Sequence, residues 1–147
     1  MTPIFQLKNK KKFNNVEIKH TLDIPLQQVQ KLYLSVGWQY RDIKTIEESF
    51  KKSILVTTAW IGNDLVGIAR ATGDGIFNAT IWDVAVRKDC QGQGIGTKLI
   101  NSMLTKLDDC GIPLITLYTT YTKKNFYSKL GFEFNINKVM GMYRIKK

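Results

Sequence analysis

The stretch Ala79-Thr-Ile-Trp-Asp-Val-Ala-Val86, followed by Arg87-Lys-Asp-Cys90 and Gln91-Gly-Gln-Gly-Ile-Gly96, decides how this chain is read. Its first part is apolar on both faces apart from Asp83, the pattern of a central strand. From Gly94 to Cys110 the residues Ile95, Leu99, Ile100, Met103, Leu104 and Leu107 recur at helical spacing, and Gly111 and Pro113 end the run. Between strand and helix stand Gly92, Gly94 and Gly96. Glycines at alternate positions leave room for a ligand to approach the backbone and permit positive φ. Successive N–H groups then converge on one anion, helped by the positive end of the helix dipole. The segment is expected to bind phosphate, and a pyrophosphate fits it well. Two common nucleotide fingerprints fail on spacing. The Rossmann pattern needs a glycine where Thr97 stands and an acid about 20 residues later, and Gly96-Thr97-Lys98 does not complete a Walker loop.

Working outward, Val16–His20 alternates and predicts a short first strand, and Pro25–Val36 predicts a helix stopped by Gly37. A second helix is expected over about Ile43–Phe50. Ile54–Trp60 and Leu65–Thr72 read as strands joined at Gly62-Asn63-Asp64, and Gly73-Asp74-Gly75 as the next turn. After the glycine loop and its helix come a strand at Leu114–Thr119, a short helix at Thr122–Leu130, and two final strands at Phe132–Ile136 and Met140–Ile145. The order predicts an α+β fold: a mixed, mostly antiparallel sheet of about seven strands with flanking helices and a β-α-β crossover in its second half.

The 147 residues suit one domain, and 44% apolar with 11% aromatic content is ordinary for a globular protein. A basic tail over 1–13, expected to be flexible, and a domain over 14–147 are the predicted divisions. No apolar run reaches membrane-spanning length, and the N-terminus reads as neither a secretory signal nor an organelle leader. Cys90 and Cys110 are far apart and His20 is the one histidine, so reduced thiols and no metal site are expected. The net charge of +10 raises the question of nucleic acid. Lys8, Lys10, Lys11, Lys12, Lys146 and Lys147 sit in acid-free tails, and setting them aside leaves 16 basic against 12 acidic residues. That residue of charge suits an anionic ligand, and no RNA- or DNA-binding motif is present.

Gln91-x-x-Gly94-x-Gly96 resembles the [RQ]-x-x-G-x-[GA] loop of the GCN5-related N-acetyltransferases, and Tyr127-Ser-Lys-Leu-Gly131-Phe132 resembles that family's Y-x-x-x-G-F element. The order of elements matches the family's fold across nearly the whole chain. Ser35-Val36-Gly37-Trp38, Gly67–Thr72, Phe77–Val84 and Gly141-Met142-Tyr143 look like its plastid and cyanobacterial branch, often described as serotonin or arylalkylamine N-acetyltransferases, some also acetylating protein lysines.

The resemblance implies acetyl transfer from acetyl-CoA, without a metal, to a primary amine. The amine that the resemblance implies is an arylalkylamine such as serotonin or tryptamine, with a place in melatonin biosynthesis; protein lysine or a non-catalytic acyl-CoA-binding module are the alternatives. It implies the backbone of Val84, Ala85 and Val86 along the pantetheine arm, and Gln91, Gly92, Gln93, Gly94, Ile95, Gly96 and Thr97 around the pyrophosphate. Tyr127 becomes the candidate acid for the leaving thiolate, with a core aromatic beside Phe126 and Phe132 as its other reading. Asp83 is the candidate base, since a carboxylate in an apolar strand is costly unless used. Its other reading is a structural acid bonded to backbone N–H groups or to Arg70. Trp38, Trp82 and Tyr118 are candidates for an aromatic acceptor pocket, with core packing as the alternative. One departure stands out: Thr120 occupies the place where many relatives carry a cofactor-bonding asparagine, and Asn125 lies only two residues before Tyr127. His20 is expected on the surface, and Cys90 is not expected to be a nucleophile. The composition suits a protein made and retained in a plastid stroma, or else a bacterial cytoplasm; a homodimer is common among relatives.

Overall fold

The structure, a computed structural model, describes residues 12–134, 141, 142 and 144–146. The chain divides into two compact units, Met1–Leu117 and Tyr118–Lys147. In the first, the order is β1 (Glu17–His20), α1 (Leu26–Ser35), α2 (Ile43–Lys51), β2 (Leu55–Ile61), β3 (Asp64–Thr72), β4 (Asn78–Val86), a 3-10 turn at Lys88–Cys90, α3 (Ile95–Asp109) and β5 (Leu114–Leu117). The sheet runs β1-β2-β3-β4-β5, antiparallel throughout except for the parallel pair β4–β5. Helix α3 is the crossover that a parallel pair requires.

The two sheet faces are filled by different helices. Val29, Leu32 and Tyr33 of α1 and Ile46 and Phe50 of α2 are buried in one cluster with Val56, Trp60 and Ile68. On the opposite parity of β2, Thr57 and Ala59 face α3, whose Leu99, Ile100 and Met103 are fully buried. Helix α2 is started by Asp42, whose carboxylate accepts the Thr45 N–H at 2.9 Å. The β2–β3 hairpin closes on Gly62-Asn63 with Gly62 at φ +58° and Ile61 paired with Asp64, a two-residue turn.

The end of α1 has a defined cap. Gly37 N–H donates to Leu34 O at 3.0 Å, Trp38 N–H donates to Tyr33 O at 3.1 Å, and Gly37 lies at φ +83°. This is a Schellman closure, completed by the Tyr33 and Trp38 rings at 5.0 Å.

The second unit holds a 3-10 turn at Tyr121–Lys123 and α4 (Lys124–Ser128). It ends as α1 does: Gly131 N–H donates to Ser128 O, Phe132 N–H donates to Tyr127 O at 3.1 Å, and Gly131 lies at φ +92°. The expected seven strands are corrected to five among the described residues. Of the two final strands, residues 135–140 and 143 lie outside the described residues, as do residues 1–11 of the expected tail. The remainder, 132–134, 141, 142, 144 and 145, are not strand. For Phe132 the reason is visible, since its N–H is taken by the helix cap and has no ladder to join.

His20 lies in the edge strand β1, half-buried where a surface strand residue is expected. It bridges three elements, with Nδ1 3.0 Å from Thr57 Oγ1 on β2 and Nε2 2.9 Å from Ser102 Oγ on α3. Burial, followed by the charge of Lys106, holds its pKa below the ordinary 6.5.

Candidate functional site

Strand β4 is built to leave part of its backbone open. Arg70 pairs with Trp82 and Ile68 with Ala85, so Asp83 and Val84 together oppose Ala69, a β-bulge. Asp83 sits at φ +52°, the one positive φ outside glycine among the described residues. For a non-glycine residue that costs of order 1 to 3 kcal/mol and persists only where surroundings impose it. On the other side β5 covers only Asn78 to Ile81. From Trp82 to Val86, no described strand pairs with β4 on that side. Arg87 N–H donates to Val66 O at 2.8 Å, toward β3. By the alternation of an antiparallel strand, Val86 faces the other way, and its carbonyl accepts Gln91 Nε2 at 2.8 Å. The open side of Val84–Val86 is therefore an edge to which an extended, amide-bearing chain can add as a strand.

That edge runs straight into the glycine loop. Gly92 and Gly94 lie at φ +76° and +81°, as the alternating glycines predicted, whereas Gly96 is already inside α3. Gly94 is the N-cap and no side chain caps this end. The first helical bond is donated by Lys98 to Gly94 O at 3.0 Å. The N–H groups of Ile95, Gly96 and Thr97 thus precede the first helical donor at the positive end of a 15-residue helix, with no acid in its first turn. This fits a pyrophosphate. Gln91 braces the loop on β4 through its side chain, and Gln93 Oε1 accepts the Phe13 N–H at 3.1 Å, tying residue 13 to the loop. Arg87 grips Asp89 through two bonds of 2.7 and 3.2 Å, which keeps that carboxylate below its usual pKa. Cys90 is fully buried, and burial raises its thiol pKa, as expected of an inert cysteine.

Asp83 is held by two arginines. Arg70 Nε donates to Oδ2 at 2.6 Å, and Arg41 Nη1 lies 3.1 Å from Oδ1. The Arg70 partnership was the alternative reading from sequence; Arg41, on the α1–α2 connection, was not foreseen. Its guanidinium also stands 5.1 Å from the Tyr33 ring centre and 5.6 Å from that of Trp38. Trp38 therefore joins Asp83 in one cluster. Trp82 is more than a third exposed and donates Nε1–H to Thr72 Oγ1 at 2.9 Å. The sequence signal that would have found Arg41 is a cation three residues after an aromatic, which is too common to single out.

In the second unit Tyr127 is buried, with Phe126 at 4.9 Å and Phe132 at 6.0 Å, both edge-on. Burial raises its pKa. Asn125 is exposed on α4, Tyr118 is exposed, and Thr120 Oγ1 lies 2.8 Å from Thr122 Oγ1.

Comparison with known proteins agrees with this geometry. Residues 52–134 match the acetyltransferase (GNAT) domain. The chain is 37% identical to the N-acetyltransferase ycf52 of Porphyra purpurea over 90% of its own length and 82% of that protein. It is 36% identical to a protein of Glycine max named histone acetyltransferase TAP1, over 82% of this chain and 57% of that one. It is 33% identical to GCN5-related N-acetyltransferase 2, chloroplastic, of Arabidopsis thaliana, over 82% and 55%. Among solved structures, the GNAT family protein SP0256 of Streptococcus pneumoniae superposes with a TM-score of 0.79 at 30% identity, over 90% of this chain and 99% of that one. The chain belongs to the GCN5-related N-acetyltransferase family, and it is an acetyl-CoA-dependent N-acetyltransferase.

Proposed function

We propose that the acceptor is a small arylalkylamine, of the serotonin and tryptamine type, acetylated directly in a ternary complex. The observation that carries the cofactor half is the open edge of β4 running into an uncapped helix N-terminus. The pantetheine arm adds along Val84–Val86, and the loop from Gln91 to Thr97 takes the pyrophosphate. Asn125 is proposed as a further cofactor contact in the second unit. The thioester supplies an activated acetyl group. The amine nitrogen forms the new C–N bond as the C–S bond breaks. An alkylammonium must lose two protons on the way to the amide, of which one ends on the sulfur and one in solvent. Tyr127, a phenol whose raised pKa keeps it protonated near neutrality, is the proposed donor to the thiolate. Asp83 is proposed to receive the amine's proton, directly or through water, once an oxygen is released from its arginines.

Trp38, Trp82 and Tyr118 are proposed to favour an aromatic acceptor. The name of the Glycine max relative favours a second reading, protein lysine. The word chloroplastic in the name of the Arabidopsis relative supports a plastid as the site of action, and the stroma is the proposed compartment. A thiol-release assay with acetyl-CoA against tryptamine, serotonin, polyamines and lysine peptides decides between acceptors. Turnover on the arylalkylamines at least tenfold above that on peptides is expected. The reverse order transfers the proposal to lysine, and acetyl-CoA binding without turnover on any amine ends it.

A further inference from the structure

Arg41 stands in a box with the make-up of an ammonium receptor. One carboxylate, Asp83, and two aromatic rings, Tyr33 and Trp38, surround its guanidinium at the distances given above. A carboxylate with aromatic faces is the usual way to hold an organic cation. The two arginines on Asp83 are not equivalent. Arg70 belongs to β3, its side chain is 18% exposed, and its Nη1 reaches Ser53 Oγ at 3.4 Å. Arg41 comes from a connection between helices, and its side chain is 40% exposed, against 11% for Asp83. Arg70 is the inner partner and Arg41 the outer cover.

A second observation shows that Arg41 leaves the box incomplete. The Tyr33 hydroxyl is buried and has no hydrogen-bond partner, the one such side-chain atom among the described residues. The charges that act on it are those of Asp83, Arg41 and Arg70, so it belongs to this cluster. A buried hydroxyl left without a partner is destabilising, because it has given up its bond to water and gained none in return. An alkylammonium carries three donors on a compact head, enough for Asp83 Oδ1 and Tyr33 Oη together. Asp83 also precedes Val84, where the acyl-bearing arm is proposed to lie.

We propose that Arg41 is a specificity-determining stand-in for the acceptor: the substrate's ammonium enters by replacing its guanidinium against Asp83, Tyr33 and Trp38. This rests on the reading of the protein as an amine acetyltransferase with its acceptor at Asp83. Swinging Arg41 out frees Oδ1 while Arg70 keeps the carboxylate in place. The entering amine competes with an internal cation, so weakly basic or poorly fitting amines are rejected.

The test is Arg41→Ala with two readouts. In steady-state assays its KM for the acceptor amine should fall about fivefold or more, with the KM for acetyl-CoA unchanged. Methylguanidinium should refill the vacated box. It is expected to raise the melting temperature of Arg41→Ala and not of wild type, and to inhibit the variant competitively against the amine. A KM for amine that rises or stays level in Arg41→Ala overturns the inference, as does methylguanidinium without effect on the variant. If wild type acetylates no amine, the functional reading fails by itself, and the melting-temperature measurement still decides the box.

Discussion

Two helices of this protein end on the same six-residue pattern. Tyr33-Leu-Ser-Val-Gly37-Trp38 closes α1 and Tyr127-Ser-Lys-Leu-Gly131-Phe132 closes α4, each with glycine at positive φ and two backbone bonds back into the last turn. In each the tyrosine and the terminal aromatic meet, at 5.0 Å in α1 and 6.0 Å in α4. The local physics is the same: a left-handed residue reverses the chain, and an apolar pair seals the turn. The surroundings differ. Tyr33 lies among Asp83, Arg41 and Arg70, and its pKa is pushed up beyond the ordinary range by burial and then by Asp83. For Tyr127, burial alone accounts for the rise. A Y-x-x-x-G-aromatic element is therefore a helix stop first. It becomes chemistry only where the fold brings the phenol a reacting partner.

Exchanging each hydroxyl for hydrogen separates the two tyrosines most sharply. Tyr127→Phe should lower kcat by roughly a hundredfold, the lower range for loss of a general acid, in the thiol-release assay. Tyr33→Phe should leave kcat within a few-fold and raise stability slightly in urea unfolding, because it deletes an unpartnered buried hydroxyl. Equal effects on kcat would mean that the pattern, and not its surroundings, sets the role. The next largest effect concerns the glycines. Gly37→Ala and Gly131→Ala meet no atom within 4 Å, so each cost is conformational, about 1 to 2 kcal/mol for forcing a side chain into the left-handed region. For Gly37→Ala this should appear in the global urea midpoint. For Gly131→Ala we expect a larger loss of turnover than of midpoint, and the opposite ranking would make the α4 end purely structural.

The smallest effect is a pH limit on the first unit. The folded pKa of His20 is depressed, so the unfolded chain binds a proton more readily than the folded one. The stability His20 contributes is present above its ordinary value of 6.5 and is lost as pH falls from there toward the folded value. Urea midpoints should therefore decline as pH falls below about 6.5, and the decline should be shallower in His20→Gln. A decline of identical slope in the variant would assign the acid limit to other groups. Activity comparisons between the two tyrosines are best made above that range.

Much of the fold was legible because it is written in local pattern. The helical spacing from Ile95 to Leu107, the Gly62-Asn63 hairpin and the glycine loop each carry their own geometry, and all appear where the spacing predicted. The fold class and family were legible for the same reason. The bulge was not, since nothing in Trp82-Asp83-Val84 announces that two residues will oppose Ala69. Nor was His20's partnership with Thr57 and Ser102, which depends on α3 crossing the face of β1 and β2.

The sequence by itself determined that a glycine loop follows a central strand and opens a helix, that Gln91, Gly94 and Gly96 mark its family, and where the helices stop. These are short-range matters of backbone freedom and apolar period, settled within a few residues. The tertiary structure decided what Asp83 and Tyr33 belong to. Arg41 belongs to the α1–α2 connection and Arg70 to β3, and only pairing β3 with β4 and packing α1 over them brings two guanidiniums, a carboxylate and a buried phenol together. Charges and hydroxyls act over a few ångströms, and which ones come that close is set by the sheet register and not by the local sequence.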